Sequence, residues 1–238
     1  MAVHLSVIGS SPAWPNPGGA CSGYLVEGRL LLDCGPGVLA KLRQRSPWPD
    51  VEAIAITHLH LDHWGDLVPW VWASLFGPGR GFRPQLWLPP GSRDALQGVL
   101  AQLGGTDMLD RAFDVSEYGS RQPFDAAGLR VTGIPVHHYD VPAHGFRVEG
   151  DRVLAYSGDS GPSASLTEIA RDADLFVCEA TLELGVREGE DRGHLDVEEA
   201  LAAAAAAGAS RVLLTHRPEE LPSPAGVELA HDGLEVRV

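Results

Sequence analysis

Short runs of apolar residues recur along the chain, and each run is bounded by Gly, Pro, Asp or Ser. Runs of this length with such borders predict buried β-strands. The predicted strands are His4–Ile8, Leu30–Leu32, Ile54–Thr57, Gln85–Leu88, Leu129–Pro135, Val153–Tyr156, Leu175–Val177 and Val212–Thr215.

Segments with apolar residues at helical spacing lie between some of these strands. Val197–Ala207 has the clearest helical pattern, because Asp196 can cap its first turn, Glu199 follows three residues later and Gly208 ends it. The other predicted helices are Gly37–Arg45, Asp66–Phe76, Ser92–Leu103 and Ser165–Arg171. Strands in runs with interspersed helices predict an α/β (α+β) fold with two sheets and helices packed outside them. No Ser/Gly linker or charge run divides the sequence, so we expect a single domain over residues 1–238.

The composition is that of a folded globular protein, since 44% of the 238 residues are hydrophobic and 21% are charged. No stretch approaches about 18 uncharged apolar residues, so we expect no membrane span. The N-terminal stretch has no basic region and only a short apolar run, which does not fit a secretion signal. Cys21, Cys34 and Cys178 are scattered and odd in number, which does not fit a disulfide framework. We therefore expect a cytoplasmic protein.

The net charge of −14 results from 18 Lys and Arg residues against 32 Asp and Glu residues. Such a surface repels a polyanion over most of its area, which disfavours binding of long nucleic acid. We expect a small-molecule substrate instead.

Four side chains that can bind metal ions follow the predicted strand Ile54–Thr57 within six residues: His58, His60, Asp62 and His63. Imidazole and carboxylate are suitable ligands for Zn²⁺ and related divalent ions. A solvated polar turn is the alternative interpretation, but four such residues directly after a buried strand disfavour it.

Further candidate ligands follow other predicted strands. The pair His137 and His138 follows the strand that begins at Leu129, Asp159 lies in a Ser-Gly-Asp turn after Val153–Tyr156, and His216 follows Val212–Thr215. Side chains at the ends of several strands can meet at one rim of a fold. Together with the first four, they are sufficient for two metal ions with Asp159 between them.

The spacing His-x-His-x-Asp-His, with a later His, an Asp in a Ser-Gly-Asp turn and a late Thr-His, resembles the metallo-β-lactamase fold superfamily. Three further segments are similar to that family: Leu31–Gly35, Cys178–Ala180 and Gly193–Leu195. The resemblance extends over nearly the whole chain and implies a four-layer αβ/βα sandwich. It is nearest to the small phosphodiesterase branch, which includes ribonuclease Z and cyclic-nucleotide phosphodiesterases.

The resemblance implies two divalent metal ions, with Zn²⁺ expected and Mn²⁺ as the alternative. One ion would be held by His58, His60, His138 and Asp159, and the other by Asp62, His63, Asp159 and His216. When the ligand position is counted forward from the preceding strand, it falls on His138. When it is counted back from Gly145, the loop contains a one-residue insertion, which leaves His137 as an alternative ligand.

Two residues are candidates for catalytic roles. Asp62 would both bind metal and orient the attacking water. His194 lies just before the helix capped by Asp196, and in the phosphodiesterase branch a histidine at this place is a candidate general acid. A capping-loop histidine bonded to the backbone is the alternative interpretation of His194. Asp33 is expected to orient a metal-binding histidine from behind.

The predicted function is hydrolysis of a phosphodiester in a small or short substrate, with cyclic nucleotides as one candidate class. Three alternatives stay open: a thioester or lactone hydrolase, a transfer-RNA processing enzyme like ribonuclease Z, and a diiron redox protein. Only 21 positions separate His138 from Asp159, which leaves no room for the long arm of ribonuclease Z. Diiron members carry Glu where His60 stands here. The resemblance also makes a homodimer an expectation.

Overall fold

The computed structural model describes residues 3–77, 81–186, 189 and 192–238. Its helices are α1 (Val38–Arg45), α2 (Leu61–Trp64), α3 (Leu67–Phe76), α4 (Ser92–Gln102), α5 (Met108–Ala112), α6 (Ala164–Ala170) and α7 (Val197–Ala207). Its strands are β1 (His4–Gly9), β2 (Gly23–Val26), β3 (Leu30–Leu32), β4 (Ala53–Ala55), β5 (Gln85–Leu88), β6 (Asp114–Glu117), β7 (Pro123–Ala126), β8 (Leu129–Val136), β9 (Ala143–Glu149), β10 (Val153–Tyr156), β11 (Leu175–Glu179), β12 (Val212–Thr215), β13 (Glu228–Leu229) and β14 (Glu235–Arg237).

In the part of the chain that the structure describes, the strands form two mixed seven-stranded sheets. The first has the order β14-β1-β2-β3-β4-β5-β6, and the second has the order β13-β12-β11-β10-β9-β8-β7. In the first sheet the pairing is antiparallel from β14 to β3 and parallel from β3 to β6. In the second sheet it is parallel from β13 to β10 and antiparallel from β10 to β7.

Three hydrophobic clusters divide the described part of the molecule into four layers. The central cluster joins residues of both sheets, such as Leu32 and Phe146. A second cluster packs α1, α3 and α4 against the outer face of the first sheet, and a third packs α6 and α7 against the outer face of the second. The expected αβ/βα sandwich is therefore confirmed.

Alternation of side chains explains why the strands are apolar throughout. In β11, Leu175 and Val177 belong to the central cluster, whereas Phe176 and Cys178 belong to the outer one. Successive side chains of a strand point to opposite faces, and here both faces are buried. A continuous apolar run is thus the sequence pattern of an interior strand in this fold.

Helix α7 begins and ends where the sequence predicts. The Asp196 carboxylate accepts a hydrogen bond from the Glu199 backbone N–H, and the Glu199 carboxylate accepts one from the Asp196 N–H. Gly208 ends the helix in the left-handed conformation at φ 69°, which glycine adopts without steric cost.

The predicted strand Ile54–Thr57 is shifted by one to two residues relative to β4. Thr57 leaves the sheet because its backbone N–H donates to the Asp33 carboxylate rather than to a neighbouring strand. Within the described residues, no helix is both long enough and apolar enough to cross a membrane.

Candidate active site

The His-x-His-x-Asp-His motif connects β4 to α2. His58 and His60 precede α2, and Asp62 and His63 lie in its single turn. Gly35 lets the neighbouring loop approach this turn, since a Cβ at Gly35 would lie 1.9 Å from the Asp62 carbonyl oxygen. The backbone N–H of Cys34 also donates to the His63 carbonyl at 2.7 Å. The motif is therefore fixed by backbone contacts as well as by its own side chains.

The remaining candidate ligands converge on the motif from the second sheet. His138 follows β8, Asp159 follows β10, and His216 follows β12. Among the described residues, two groups made of predicted ligands have all their potential ligand atoms within 4.8 Å of one another: His58, His60, His138 and Asp159, and Asp62, His63, Asp159 and His216. A third group that meets the same distance joins His216 to Glu179 and His194. His138 belongs to the first group, whereas the side chain of His137 is exposed outside it.

Asp159 lies between the two groups. Its Oδ2 is 3.8 Å from Nε2 of both His58 and His138, and 3.2 Å from Nε2 of His63. Its Oδ1 is 3.6 Å from His216 Nε2. The Asp159 side chain is almost fully buried, so these nitrogens surround a carboxylate that water barely reaches.

The far nitrogens of four histidines donate to fixed acceptors. His63 Nδ1 donates to Asp33 Oδ2 at 2.7 Å, and His138 Nδ1 donates to the Gly193 carbonyl at 2.7 Å. The hydroxyl of Thr57 lies 3.0 Å from His58 Nδ1, and the hydroxyl of Thr181 lies 2.9 Å from His216 Nδ1. The Thr57 hydroxyl donates its proton to Asp33, and the Thr181 hydroxyl donates its proton to Glu179. Each hydroxyl oxygen therefore accepts the hydrogen bond from its imidazole. Each near nitrogen, Nε2, therefore presents a lone pair toward Asp159, the tautomer that a metal ligand requires.

Three buried atoms at the centre have no hydrogen-bond partner among the described residues: His58 Nε2, His63 Nε2 and Asp159 Oδ1. Buried polar atoms without a partner are costly. Lone pairs and carboxylate oxygens that face one another need a cation between them rather than a further acceptor. The donor set, five imidazoles and two carboxylates, fits divalent ions of the zinc type.

Burial lowers the pKa of His58 well below its ordinary value, and it also lowers the pKa of His60 and of His138. These imidazoles are neutral, as metal ligands must be. Burial also opposes a charge on His63, but the Asp159 and Asp33 carboxylates outweigh it and raise the pKa of His63 well above its usual range. The two carboxylates thus favour a positive charge beside His63, which a divalent cation held by the second group would supply.

His194 lies beside the cluster and is held by Glu179. Its Nδ1 is 2.8 Å from Glu179 Oε1, and its ring stacks at 17° on the ring of His216 with a centroid distance of 5.7 Å. The fully buried Glu179 carboxylate also accepts hydrogen bonds from the backbone N–H groups of Ser160, Thr181 and Leu195. The partner of Nδ1 is thus a side chain, whereas the alternative interpretation has a backbone partner. Glu179 was not singled out as a site residue from the sequence, and its place within Cys178–Ala180 was the available signal.

The model of the family described as "Beta-lactamase superfamily domain" matches residues 28–217, which is most of the chain. The chain belongs to this superfamily. Its members are metal-dependent hydrolases, and the expected resemblance to the metallo-β-lactamase fold is confirmed.

Relatives of this β-lactamase superfamily protein cover nearly its whole length. It is 32% identical over 226 residues to the uncharacterized protein Rv1339 of Mycobacterium tuberculosis, covering 92% of this chain and 82% of that protein. It is 30% identical over 218 residues to the probable metallo-hydrolase YhfI of Bacillus subtilis, covering 90% and 86%. It is also 30% identical over 240 residues to ribonuclease Z of Mycolicibacterium paratuberculosis, covering 90% and 85%.

Solved structures of the superfamily have the same fold. The crystal structure of YhfI superposes with a TM-score of 0.84 at 25% identity, covering 98% of this chain and 99% of that chain. The short form of human tRNase Z has a TM-score of 0.78 at 23% identity, covering 98% of each chain. A diphosphatase of the PhnP family has a TM-score of 0.74 at 23% identity, covering 100% and 98%. The last two similarities show the fold alone.

Proposed function

We propose that this protein is a phosphodiesterase that hydrolyses a small or short phosphodiester at a dinuclear metal centre, with cyclic nucleotides as a candidate substrate class. The observation that carries the proposal is the Glu179–His194 pair beside the two ligand groups. An alkoxide leaving group of a phosphodiester needs a proton, and a fixed imidazole next to the metal ligands can deliver one.

The two groups that share Asp159 would each hold one ion, Zn²⁺ or Mn²⁺. Bound there, the ions would supply Lewis-acid stabilisation of the phosphoryl oxygens and would lower the pKa of water to about 7. All seven side chains that the sequence singles out as ligands belong to these two groups.

Asp62 can also orient the attacking water. Its Oδ2 lies 3.0 Å from His216 Nε2 and 3.3 Å from His63 Nε2. Burial opposes its ionisation, but the neighbouring His216 and His63 side chains outweigh burial and hold the pKa of Asp62 below its ordinary value. Asp62 is thus a carboxylate that accepts a hydrogen bond from water and directs the water oxygen toward phosphorus.

His194 completes the reaction. Water releases one proton to solvent and adds its oxygen to phosphorus while the bond from phosphorus to the leaving oxygen breaks. That oxygen takes the Nε2 proton of the His194 imidazolium, and solvent then returns a proton to Nε2. The Glu179 carboxylate acts only as an acceptor in the hydrogen bonds that the structure shows for it. Nδ1 of His194 is therefore the donor in their pair and keeps its proton. The imidazole therefore presents Nε2, and not Nδ1, to the substrate.

A ribonuclease Z-like activity on transfer-RNA precursors is the second candidate, favoured by 30% identity to a ribonuclease Z. Two observations disfavour it: the net charge of −14, and the compact antiparallel pair of β9 and β10 that occupies most of the chain between His138 and Asp159. A diiron redox role is disfavoured because His60 presents an imidazole nitrogen, Nδ1, to the first group, 2.8 Å from His138 Nε2.

A substrate panel tests the proposal. It contains adenosine 3′,5′-cyclic monophosphate, bis(p-nitrophenyl) phosphate, a glutathione thioester, a lactone and a precursor transfer RNA, each with Zn²⁺ or Mn²⁺. We expect the highest kcat/KM on the small phosphodiesters, and no turnover by an Asp159→Ala control prepared in the same way. A higher kcat/KM on the thioester or lactone would contradict the proposal, and preferential cleavage of the transfer RNA would support the second candidate.

A further inference from the structure

Tyr139 has a strained backbone next to the candidate metal ligands. It follows His138 directly and adopts φ 47°. Left-handed backbone is rare for a bulky side chain and persists only where the surrounding structure imposes it. The neighbouring residues His138 and Asp140 form an isolated β-bridge, and the Val141 N–H donates to the His138 carbonyl. A tight turn thus fixes Tyr139 relative to a ligand.

The ring of Tyr139 packs directly on the backbone of Gly193. A Cβ at Gly193 would lie 2.3 Å from the Tyr139 ring, so only glycine permits this contact. The carbonyl of Gly193 accepts the hydrogen bond from His138 Nδ1. Gly193 therefore holds both the ring and the adjacent ligand in place, and it directly precedes His194.

The same ring borders His194 and solvent. Its centroid is 5.7 Å from that of His194, at an interplanar angle of 78°, and 4.9 Å from that of His138. Even so, Tyr139 is 37% exposed. A large aromatic side chain fixed beside a proton donor, with much of its surface open to solvent, has the properties of a binding platform.

We propose that Tyr139 selects substrates whose ester group carries a planar aromatic or heteroaromatic ring, such as a nucleobase, by stacking on that ring. The inference rests on the proposed function, because it assigns Tyr139 to the substrate of that same site. Stacking of a base on an aromatic side chain strengthens binding by about 5- to 150-fold. It tolerates different bases, because every base has a flat face. Tyr139 is thus assigned a role in recognising the ring, outside the reaction at phosphorus.

A binding experiment tests the inference independently of turnover. Dissociation constants of adenosine 5′-monophosphate and ribose 5-phosphate are measured by calorimetry on the zinc-loaded wild-type, Tyr139→Asn, Tyr139→Phe and Phe76→Asn proteins. Asn tolerates left-handed backbone, so Tyr139→Asn removes the ring with little risk to the turn. Phe76 is the matched control, because it is an exposed aromatic residue of α3 that belongs to neither ligand group.

We expect the wild-type protein to prefer the ligand with the base by about 5- to 150-fold. Tyr139→Phe and Phe76→Asn should keep this preference, and Tyr139→Asn should reduce it to near one. The inference is overturned if the wild-type protein shows no preference, or if Tyr139→Asn keeps it. It is also overturned if Tyr139→Phe loses the preference equally, because then the hydroxyl and not the ring recognises the ligand.

Turnover separates this inference from the proposed function. Adenosine 3′,5′-cyclic monophosphate and 1-O-methylribose 3′,5′-cyclic phosphate have the same scissile bond, and only the first has a base. If neither is hydrolysed, the proposed function fails for cyclic phosphates, while the binding ratios still decide the role of Tyr139. If both are hydrolysed with equal kcat/KM, the phosphodiesterase stands and the assignment of Tyr139 is wrong.

Discussion

The carboxylate of Glu179 and the imidazole of His194 are joined by a 2.8 Å hydrogen bond between Oε1 and Nδ1. The two residues are 15 positions apart, and the pair lies where the loop before α7 meets the end of β11. The other Glu179 oxygen accepts from the Thr181 hydroxyl, which lies 2.9 Å from His216 Nδ1. One buried carboxylate therefore orients the proposed proton donor and, through Thr181, a candidate ligand.

His194→Ala should keep the bound metal but lower turnover on alkyl phosphodiesters by about 10²–10⁴, the usual contribution of a general acid. The loss should shrink on nitrophenyl esters, because a nitrophenolate leaves without a proton. Glu179→Gln should show the same dependence on the leaving group with a smaller loss, since it acts through His194. Steady-state kinetics on both substrate classes, with metal analysis of each variant, make the comparison.

His231→Ala is the matched control for these variants, because His231 is exposed and lies outside the ligand groups. It should not change turnover on either class of substrate. Equal losses on alkyl and nitrophenyl esters for His194→Ala would show that His194 is not the proton donor. A lower metal content would instead make His194 a ligand.

The purified protein should contain close to two equivalents of divalent metal per chain. Asp159→Ala should lower the content of both sites, because Asp159 belongs to both groups, whereas His58→Ala should lower one. Metal at 100 times its dissociation constant stabilises a protein by about 2.7 kcal/mol. A chelator should therefore lower the thermal midpoint by about 5–10 °C for a chain of this size. Elemental analysis and calorimetry measure both quantities, and an unchanged midpoint in the wild-type protein would contradict a bound metal.

Much of this site could be predicted from the sequence because its residues follow interior strands. Interior strands such as β4 and β12 are buried on both faces and stand out as apolar runs, so the residues at their ends are easy to find. The interior strands β2 and β9 were not predicted, although both are largely buried. The edge strands β6, β7, β13 and β14 were also not predicted, because they are short and exposed positions interrupt their apolar pattern, as in Asp114–Glu117. The hydrophobic pattern carries little information about such strands.

Contacts between distant loops are the part that the sequence pattern does not contain. Glu179 is important because Ser160 and His194, from two other loops, both hydrogen-bond to it, and no local spacing encodes these contacts. Counting from the preceding strand selected His138, but the acceptor of its Nδ1, the Gly193 carbonyl, comes from a loop 55 positions away that the sequence pattern does not reveal.

The pair His137 and His138 provides a comparison of adjacent residues of the same type. His138→Ala should lose metal, because His138 Nε2 lies 2.8 Å from His60 Nδ1 and 3.8 Å from Asp159 Oδ2. His137→Ala should keep the metal and the activity, because its side chain is exposed. Metal analysis of the two variants side by side decides between them. The reverse result would show that the ligand register is wrong by one residue.

The buried His144 should make stability depend on pH. Burial lowers its pKa from an ordinary value of 6.5 to about 4. Its Nε2 pairs with the Ser120 hydroxyl at 2.9 Å, while its buried Nδ1 has no hydrogen-bond partner among the described residues, so a second proton would be unpaired. Between about pH 6.5 and pH 4 the unfolded chain binds a proton here that the folded chain does not. The contribution of neutral His144 to the free energy of unfolding is therefore complete above pH 6.5 and is lost as the pH falls toward 4, by up to about 1.4 kcal/mol per pH unit.

Urea unfolding with a chelator present measures this effect. As the pH falls, the free energy of unfolding should decrease more steeply for the wild-type protein than for His144→Gln, which cannot titrate. Parallel pH profiles would show that His144 does not titrate differently in the two states.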